Sequence, residues 1–168
     1  MATPPRSTSS FRWLSADEQS AWRGLLRLQA ALAAVLNREL AQRGTLSLSD
    51  YAVLVELSEA PEGRLRANVL SHALGWEKSR LSHHVARMGA RGLVARERCS
   101  SDRRGANVAI TASGRTALAQ AAPAHVAAVR RLFIDVLGPT QLAALRTITD
   151  AALAALAPEC AAGDDPSR

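Results

Sequence analysis

Apolar residues recur at a helical interval through Leu25, Leu28, Leu32, Leu36 and Leu40. They follow Ser15-Ala-Asp-Glu18, where a serine three residues ahead of a glutamate forms the capping-box pattern of a helix start. With Gly44 as the stop, the spacing predicts one long helix. Ser49 and Asp50 offer a cap for a second helix carrying Val53, Leu54 and Leu57, and Pro61 and Gly63 end it. Leu65 and Arg66 lead into a short third helix with Val69, Leu70, Ala73 and Leu74 apolar, stopped by Gly75. A fourth helix, from about Glu77 to Arg91, carries Leu81, Val85 and Met88 on one stripe. After Gly92, Leu93-Val94 opens a strand, Cys99 to Gly105 is polar and turn-like, and Asn107 to Ile110 reads as the returning strand of a hairpin. Thr111 caps a long helix with Leu118, Ala122, His125, Val129, Leu132 and Val136 on its apolar side, and Pro123 inside it predicts a kink. Gly138-Pro139 separates it from a last helix carrying Leu142, Leu145, Ile148, Ala152 and Leu156.

This order predicts a mainly α protein with a small β-hairpin, a winged helix-turn-helix with long N- and C-terminal dimerisation helices. The expected divisions are a disordered tail over 1–14, an N-terminal dimerisation helix over 15–46, a winged helix-turn-helix lobe over 47–111, C-terminal dimerisation helices over 112–157 and a disordered tail over 158–168. The first helix and the last two carry Ala/Leu stripes but join no sheet, so they need another surface to bury against. A second copy of the chain across a two-fold axis supplies it.

Composition supports the helical reading. Of 168 residues 34 are alanine and only 4% are aromatic, which disfavours a β-sandwich or barrel. No apolar run exceeds about seven residues, against the ~20 a membrane span requires, and no secretory h-region opens the chain. Two cysteines make no disulfide framework, and a reduced, cytoplasmic protein is expected, associated with the nucleoid when on DNA. Charge changes the picture more. Between Arg64 and Arg104 ten basic residues face three acidic ones, a balance of +7 in a chain whose net charge is +6. Such clustering is the electrostatic footprint of a nucleic-acid partner.

The fourth helix sharpens that reading. At 100° per residue, Leu81, Val85 and Met88 fall within about 60° of one another. Ser79, Arg80, His83, His84, Arg87 and Arg91 fill an arc of about 140° on the other side. Every residue on that arc can donate a hydrogen bond and none is acidic, whereas an ordinary solvated face mixes Glu with Lys and Arg. A helix that must approach phosphates and guanine edges cannot carry carboxylates there. The stretch GWEKSRLSHHVARMGARGLVARE, followed by SDRRGANVAITASGR, resembles the MarR family of bacterial transcription regulators over most of residues 15–157. Asp102-x-Arg104-Gly105, Val108, Ile110-Thr111 and Gly114 carry the more specific part of the likeness. The resemblance implies that Arg104 enters the minor groove, with Asp102 orienting the wing and Arg103 beside them at its tip. It also implies an obligate homodimer interleaved through the terminal helices.

The candidate DNA-binding residues are therefore Arg66, Ser79, Arg80, Ser82, His83, His84, Arg87, Asp102, Arg103 and Arg104. The expected partners are a double-stranded, pseudo-palindromic DNA operator, a second copy of the chain, and a small aromatic or phenolic effector, with no membrane. The resemblance places such an effector between the dimer helices and the DNA-binding lobe, where Trp22, Tyr51 and Trp76 are the candidate lining. The expected activity is transcriptional regulation, as a repressor released by that effector. Two alternatives stay open: a winged-helix module that binds protein without DNA, and a redox sensor using Cys99, whose arginine neighbours Arg96, Arg98, Arg103 and Arg104 would lower a thiol pKa. No cofactor or metal is expected. His83 and His84 point about 100° apart on a helix, and no CxxC, HxxxH or HExxH spacing occurs. No GxGxxG, P-loop or GxSxG motif supports an enzyme.

Overall fold

The computed structural model of the protein describes residues 11–44, 46–98 and 106–162. Two compact units divide the chain, residues 1–34 and 35–168. Helix α1 (Ala16–Arg43) opens on the predicted capping box. The Glu18 N–H donates to Ser15 Oγ at 3.2 Å, and the Ser15 N–H donates back to the Glu18 carboxylate at 2.7 Å. Within the first unit Trp22, Leu25, Leu26 and Leu28 are all exposed. The N-terminal tail predicted over 1–14 falls mostly outside the described residues.

The second unit holds the lobe. Helix α2 (Leu48–Glu59) starts two residues earlier than the sequence suggested. Ser47, not Ser49, is the cap, and Asp50 is the third helical residue, its carboxylate accepting the Ser47 N–H at 2.9 Å while Ser47 Oγ accepts the Asp50 N–H at 3.1 Å. Both serines fit the pattern by type, and only Ser47 stands three residues before a carboxylate. Strand β1 (Arg64–Arg66) occupies what reads in sequence as a lead-in to α3 (Ala67–Ala73). It pairs antiparallel with β3 (Ala106–Ile110), Arg64 opposite Ala109. Strand β2 (Val94–Arg98) pairs on the other side of β3, Val94 opposite Ile110 and Arg98 opposite Ala106. The predicted hairpin is thus two-thirds of a sheet ordered β1-β3-β2.

Helix α4 (Lys78–Ala90) follows α3 through a turn in which Gly75 takes a φ of +62°, left-handed backbone that favours glycine. Leu81, Val85 and Met88 are buried as their spacing predicts, against Leu46 just ahead of α2, Val53, Leu54, Leu57 and Leu70 of the helices and Leu93, Val94, Val108 and Ile110 of the sheet region. Val69 and Ala73, apolar by type, are exposed instead. Helix α5 (Ala112–Leu132) is capped by Thr111, whose Oγ1 accepts the Gly114 N–H at 3.0 Å and donates to the Gly92 carbonyl at 2.6 Å. The helix continues without interruption through Pro123, and Val136 lies beyond it in a short 3₁₀ turn (Ile134–Val136). Helix α6 (Pro139–Ala162) begins at the predicted Gly-Pro break and runs past Pro158, where the sequence reading placed a tail. No helix among the described residues is long and apolar enough to cross a membrane.

Candidate nucleic-acid interface

Between Lys78 and Ala90 helix α4 contains no Asp or Glu. Lys78, Ser79, Arg80, Ser82, His83 and Arg87 are all exposed. Two cations in the first turn, Lys78 and Arg80, sit at the positive end of the helix dipole, where the N-cap residue Glu77 brings the one carboxylate. The helix start also lacks a side-chain cap. Its N–H groups and its cations therefore favour the same ligand chemistry, a phosphate.

Three of these side chains are held by neighbours. The Arg80 guanidinium lies over the Trp76 ring, 4.4 Å from its centroid. Trp76 is itself fixed, because the Ser71 hydroxyl donates to its carbonyl. Ser82 accepts from Arg96 of β2 through both its carbonyl (3.2 Å) and its hydroxyl (2.9 Å), tying the sheet to the exposed side of α4. Arg87 Nη2 lies 3.1 Å from His84 Nδ1. Arg66 ends β1 and is exposed.

His84 departs from its predicted place. It is only 8% exposed, with its ring edge-on to Trp76 at 5.2 Å and its Nε2 3.0 Å from Asp50 Oδ1. On the helical wheel it borders the Met88 side of the arc, and the buried carboxylate of α2 draws it inward. Asp50, 2% exposed, also accepts from Arg91 Nη1 at 2.8 Å. Burial alone would raise the Asp50 pKa. The Arg91 guanidinium and the Ser47 N–H and hydroxyl outweigh burial and hold the carboxyl below its ordinary value. Burial lowers the pKa of His84, helped by Arg87 and Arg80 and opposed by Asp50.

The proposed wing tip, with Asp102, Arg103 and Arg104, lies outside the described residues, as does Cys99. The strands that lead to it are in place on both sides, Arg98 opposite Ala106. The three aromatic residues expected to line an effector pocket have these surroundings. Tyr51 packs on His125 with ring centroids 4.2 Å apart, Trp76 packs on His84 and Arg80, and Trp22 is 52% exposed in the first unit. A cavity of ≈ 70 Å³ in the second unit is lined by Leu40, Leu46, Ala117, Ala121, Ala124, Glu39, Gln120 and His125. His125 Nδ1 is buried there with no hydrogen-bond partner among the described residues, and burial lowers the pKa of the ring. Aromatic type had suggested the three residues; the signal for the cavity is the run of small residues on α5, which leaves space beside Leu40.

A helix with an acid-free exposed face, packed on a three-stranded sheet, defines a winged-helix DNA-binding protein. The MarR family model matches residues 45–105. AbsC, a MarR family transcriptional regulator from Streptomyces coelicolor, is 41% identical over 88% of this chain and 99% of that chain, with a TM-score of 0.81. Sco3205, a MarR family transcriptional regulator from the same organism solved in complex with DNA, is 38% identical over 88% of this chain and 92% of that chain, with a TM-score of 0.83. CouR from Rhodococcus jostii RHA1, bound to p-coumaroyl-CoA, is 26% identical over 82% of this chain and 93% of that chain, with a TM-score of 0.67. Comparison with curated proteins returned no match. The chain belongs to the MarR family of transcriptional regulators.

Proposed function

We propose that the protein is a homodimeric, sequence-specific repressor that binds a pseudo-palindromic operator and is released by a small effector. The observation that carries this is the acid-free face of α4, with Ser79, Arg80, His83 and Arg87 exposed together. Each copy of α4 reads one major-groove half-site through Arg80 and Arg87, and Ser79, Ser82, His83 and Arg66 add contacts at its margins. The wing follows β2 and β3 into the adjacent minor groove, where Arg104 is the inserted cation and Asp102 its orienting partner. A relative solved with DNA, Sco3205, supports the mode of binding.

The test is a titration against the DNA upstream of the protein's own gene. Affinity should fall on the order of a thousandfold between about 50 and 200 mM salt, as phosphate neutralisation by a +7 segment requires. Arg80→Ala and Arg87→Ala should each cost about 1–3 kcal/mol and relax the base preference, and Arg104→Ala should cost more than Arg103→Ala. Wild-type binding by both α4 variants, or salt-independent affinity, removes α4 from the groove.

Dimerisation is supported by uncovered apolar side chains on α6, where Ile148, Leu153 and Leu156 are exposed, and on the first unit, with Trp22, Leu25, Leu26 and Leu28. Sedimentation at low micromolar concentration should give a dimer. A stable monomer there would refute the two-fold reading. For the effector, the cavity beside His125 is the favoured site: it is mostly apolar, with one unpartnered nitrogen to orient a donor, features that suit a compact aromatic acid or phenol. CouR, a relative solved bound to p-coumaroyl-CoA, supports an aromatic ligand.

A further inference from the structure

His84 is a buried histidine on the helix that faces DNA, and it is in contact with one of that helix's exposed arginines. A guanidinium has donors and no acceptor. The 3.1 Å contact between Arg87 Nη2 and His84 Nδ1 therefore makes Nδ1 the acceptor and puts the ring proton on Nε2. Nε2 is the nitrogen that faces Asp50 Oδ1 at 3.0 Å, a close charge contact outside hydrogen-bond geometry. The other carboxylate oxygen, Oδ2, accepts from Arg91 and from the Ser47 N–H, which leaves Oδ1 toward the histidine. The edge of the Trp76 ring closes the pocket. The chain of contacts runs from the cap of α2, through Asp50 and His84, to the guanidinium of Arg87 on the surface.

We propose that His84 is the positioning residue of Arg87: its neutral Nδ1 fixes the direction in which that guanidinium leaves α4, so base discrimination by Arg87 depends on a histidine that does not touch DNA. This deepens the reading of α4 as the DNA-reading helix and rests on it. An exposed arginine samples many rotamers and loses that freedom when it meets a base edge, whereas one already tethered loses less. Bidentate recognition of a base edge is sensitive to the plane of the guanidinium, so a tether that sets the plane acts on selectivity more than on total affinity. Protonation of His84 reverses the arrangement. Nδ1 becomes a donor facing the Arg87 donors, and a positive ring stands beside a positive guanidinium. The groups that decide the titration are Asp50 from α2, which favours the charged ring, and Arg87 and Arg80 from α4 itself, which oppose it together with burial. The net effect keeps the ring neutral at pH 7.

The experiment measures dissociation constants for the operator and for single-base-pair variants of one half-site. Arg87→Ala first identifies the position that Arg87 reads, as the one where discrimination disappears. If it disappears nowhere, the assignment of α4 has failed and the role of His84 is not what failed. At the identified position His84→Leu should lower discrimination by about tenfold, the scale of one well-made base contact. His84→Asn, whose side-chain oxygen can take the place of Nδ1, should keep discrimination within about threefold of wild type. Discrimination by the wild type should decline as pH falls from about 7.5 to 5, while His84→Asn stays flat over the same range. The exposed His83 is present in both proteins, so it does not account for a difference between them. Thermal melts establish that each variant folds; if His84→Leu does not, the two pH profiles decide. Wild-type discrimination by a folded His84→Leu, equal losses in the Leu and Asn variants, or parallel pH profiles would each overturn the proposal.

Discussion

Gly114→Ala is expected to destabilise the lobe by about 3–5 kcal/mol, although alanine is the better helix former by ~1 kcal/mol. Gly114 is the third residue of α5, and its N–H is bound by the capping hydroxyl of Thr111. A methyl group on its Cα would fall well inside van der Waals contact distance of the Leu93 carbonyl oxygen, with Ile110 Cγ1 at 3.0 Å and Leu54 Cδ2 at 3.2 Å. A flexible side chain could yield, but a carbonyl at the start of β2 cannot move without disturbing the strand it opens. That carbonyl also accepts the Thr111 N–H at 3.2 Å. The clash outweighs the gain in propensity because the lobe must either open the α5–sheet contact or distort β2. Thermal melting followed by circular dichroism reads the effect directly. Ser113→Ala, one residue away and exposed, is the control and should melt within a degree or two of wild type, about what a few tenths of a kcal/mol produce. A Gly114→Ala protein that melts at or above the wild-type temperature would show that α5 packs farther from β2 than described.

Asp50→Asn should cost about 2–3 kcal/mol at pH 7, with the loss vanishing in acid. The carboxylate accepts from Ser47 and Arg91 and faces His84, and an amide supplies a single acceptor and places an NH₂ against one of these groups. The figure is held below the full cost of breaking a buried pair because the Arg91 side chain is 38% exposed and partly solvated. The pH dependence follows from the direction of the shift. The folded-state pKa of Asp50 lies below its ordinary value of 3.8, so its contribution is complete above that value and is lost as pH falls through the lower, folded one. Urea midpoints for wild type and variant should therefore differ at pH 7 and approach one another as pH falls below 3.8 and through the lower, folded-state pKa. Midpoints that coincide at pH 7 would mean that the Asp50 cluster contributes nothing net to the lobe.

Much of the architecture was legible because the burial it needs is periodic. Leu81, Val85 and Met88 sit at helical spacing and all three are buried. The caps at Ser15 and Thr111 and the break at Gly138-Pro139 announce themselves by residue type within a few positions. Strand β1 was not legible because three residues with one half-buried apolar side chain, Leu65, cannot display a period of two. It exists because β3 offers a free edge, which is a tertiary fact. The acid-free face of α4 was legible as an exposed face, except at His84, which is buried. Its wheel position beside Met88 was a hint of His84's burial, but the carboxylate that faces it belongs to a different helix and could not be read from the neighbouring sequence. Aromatic type alone says what a side chain could line; the packing of Tyr51 on His125 and of Trp76 on Arg80 is tertiary and was not legible.

The strand order β1-β3-β2 also bears on how the protein is made. During synthesis α3, α4 and β2 all emerge between β1 and the strand that must lie beside it, so closing the sheet means joining ends roughly forty residues apart along the chain. Helix α4 is complete on the ribosome before its lobe has a middle strand to rest on, and isolated helices of such length are marginal in water. A nascent chain becomes competent only once Ile110 has cleared the exit tunnel. A message broken ahead of that codon would yield a polypeptide containing every exposed arginine of α4 and no regulator.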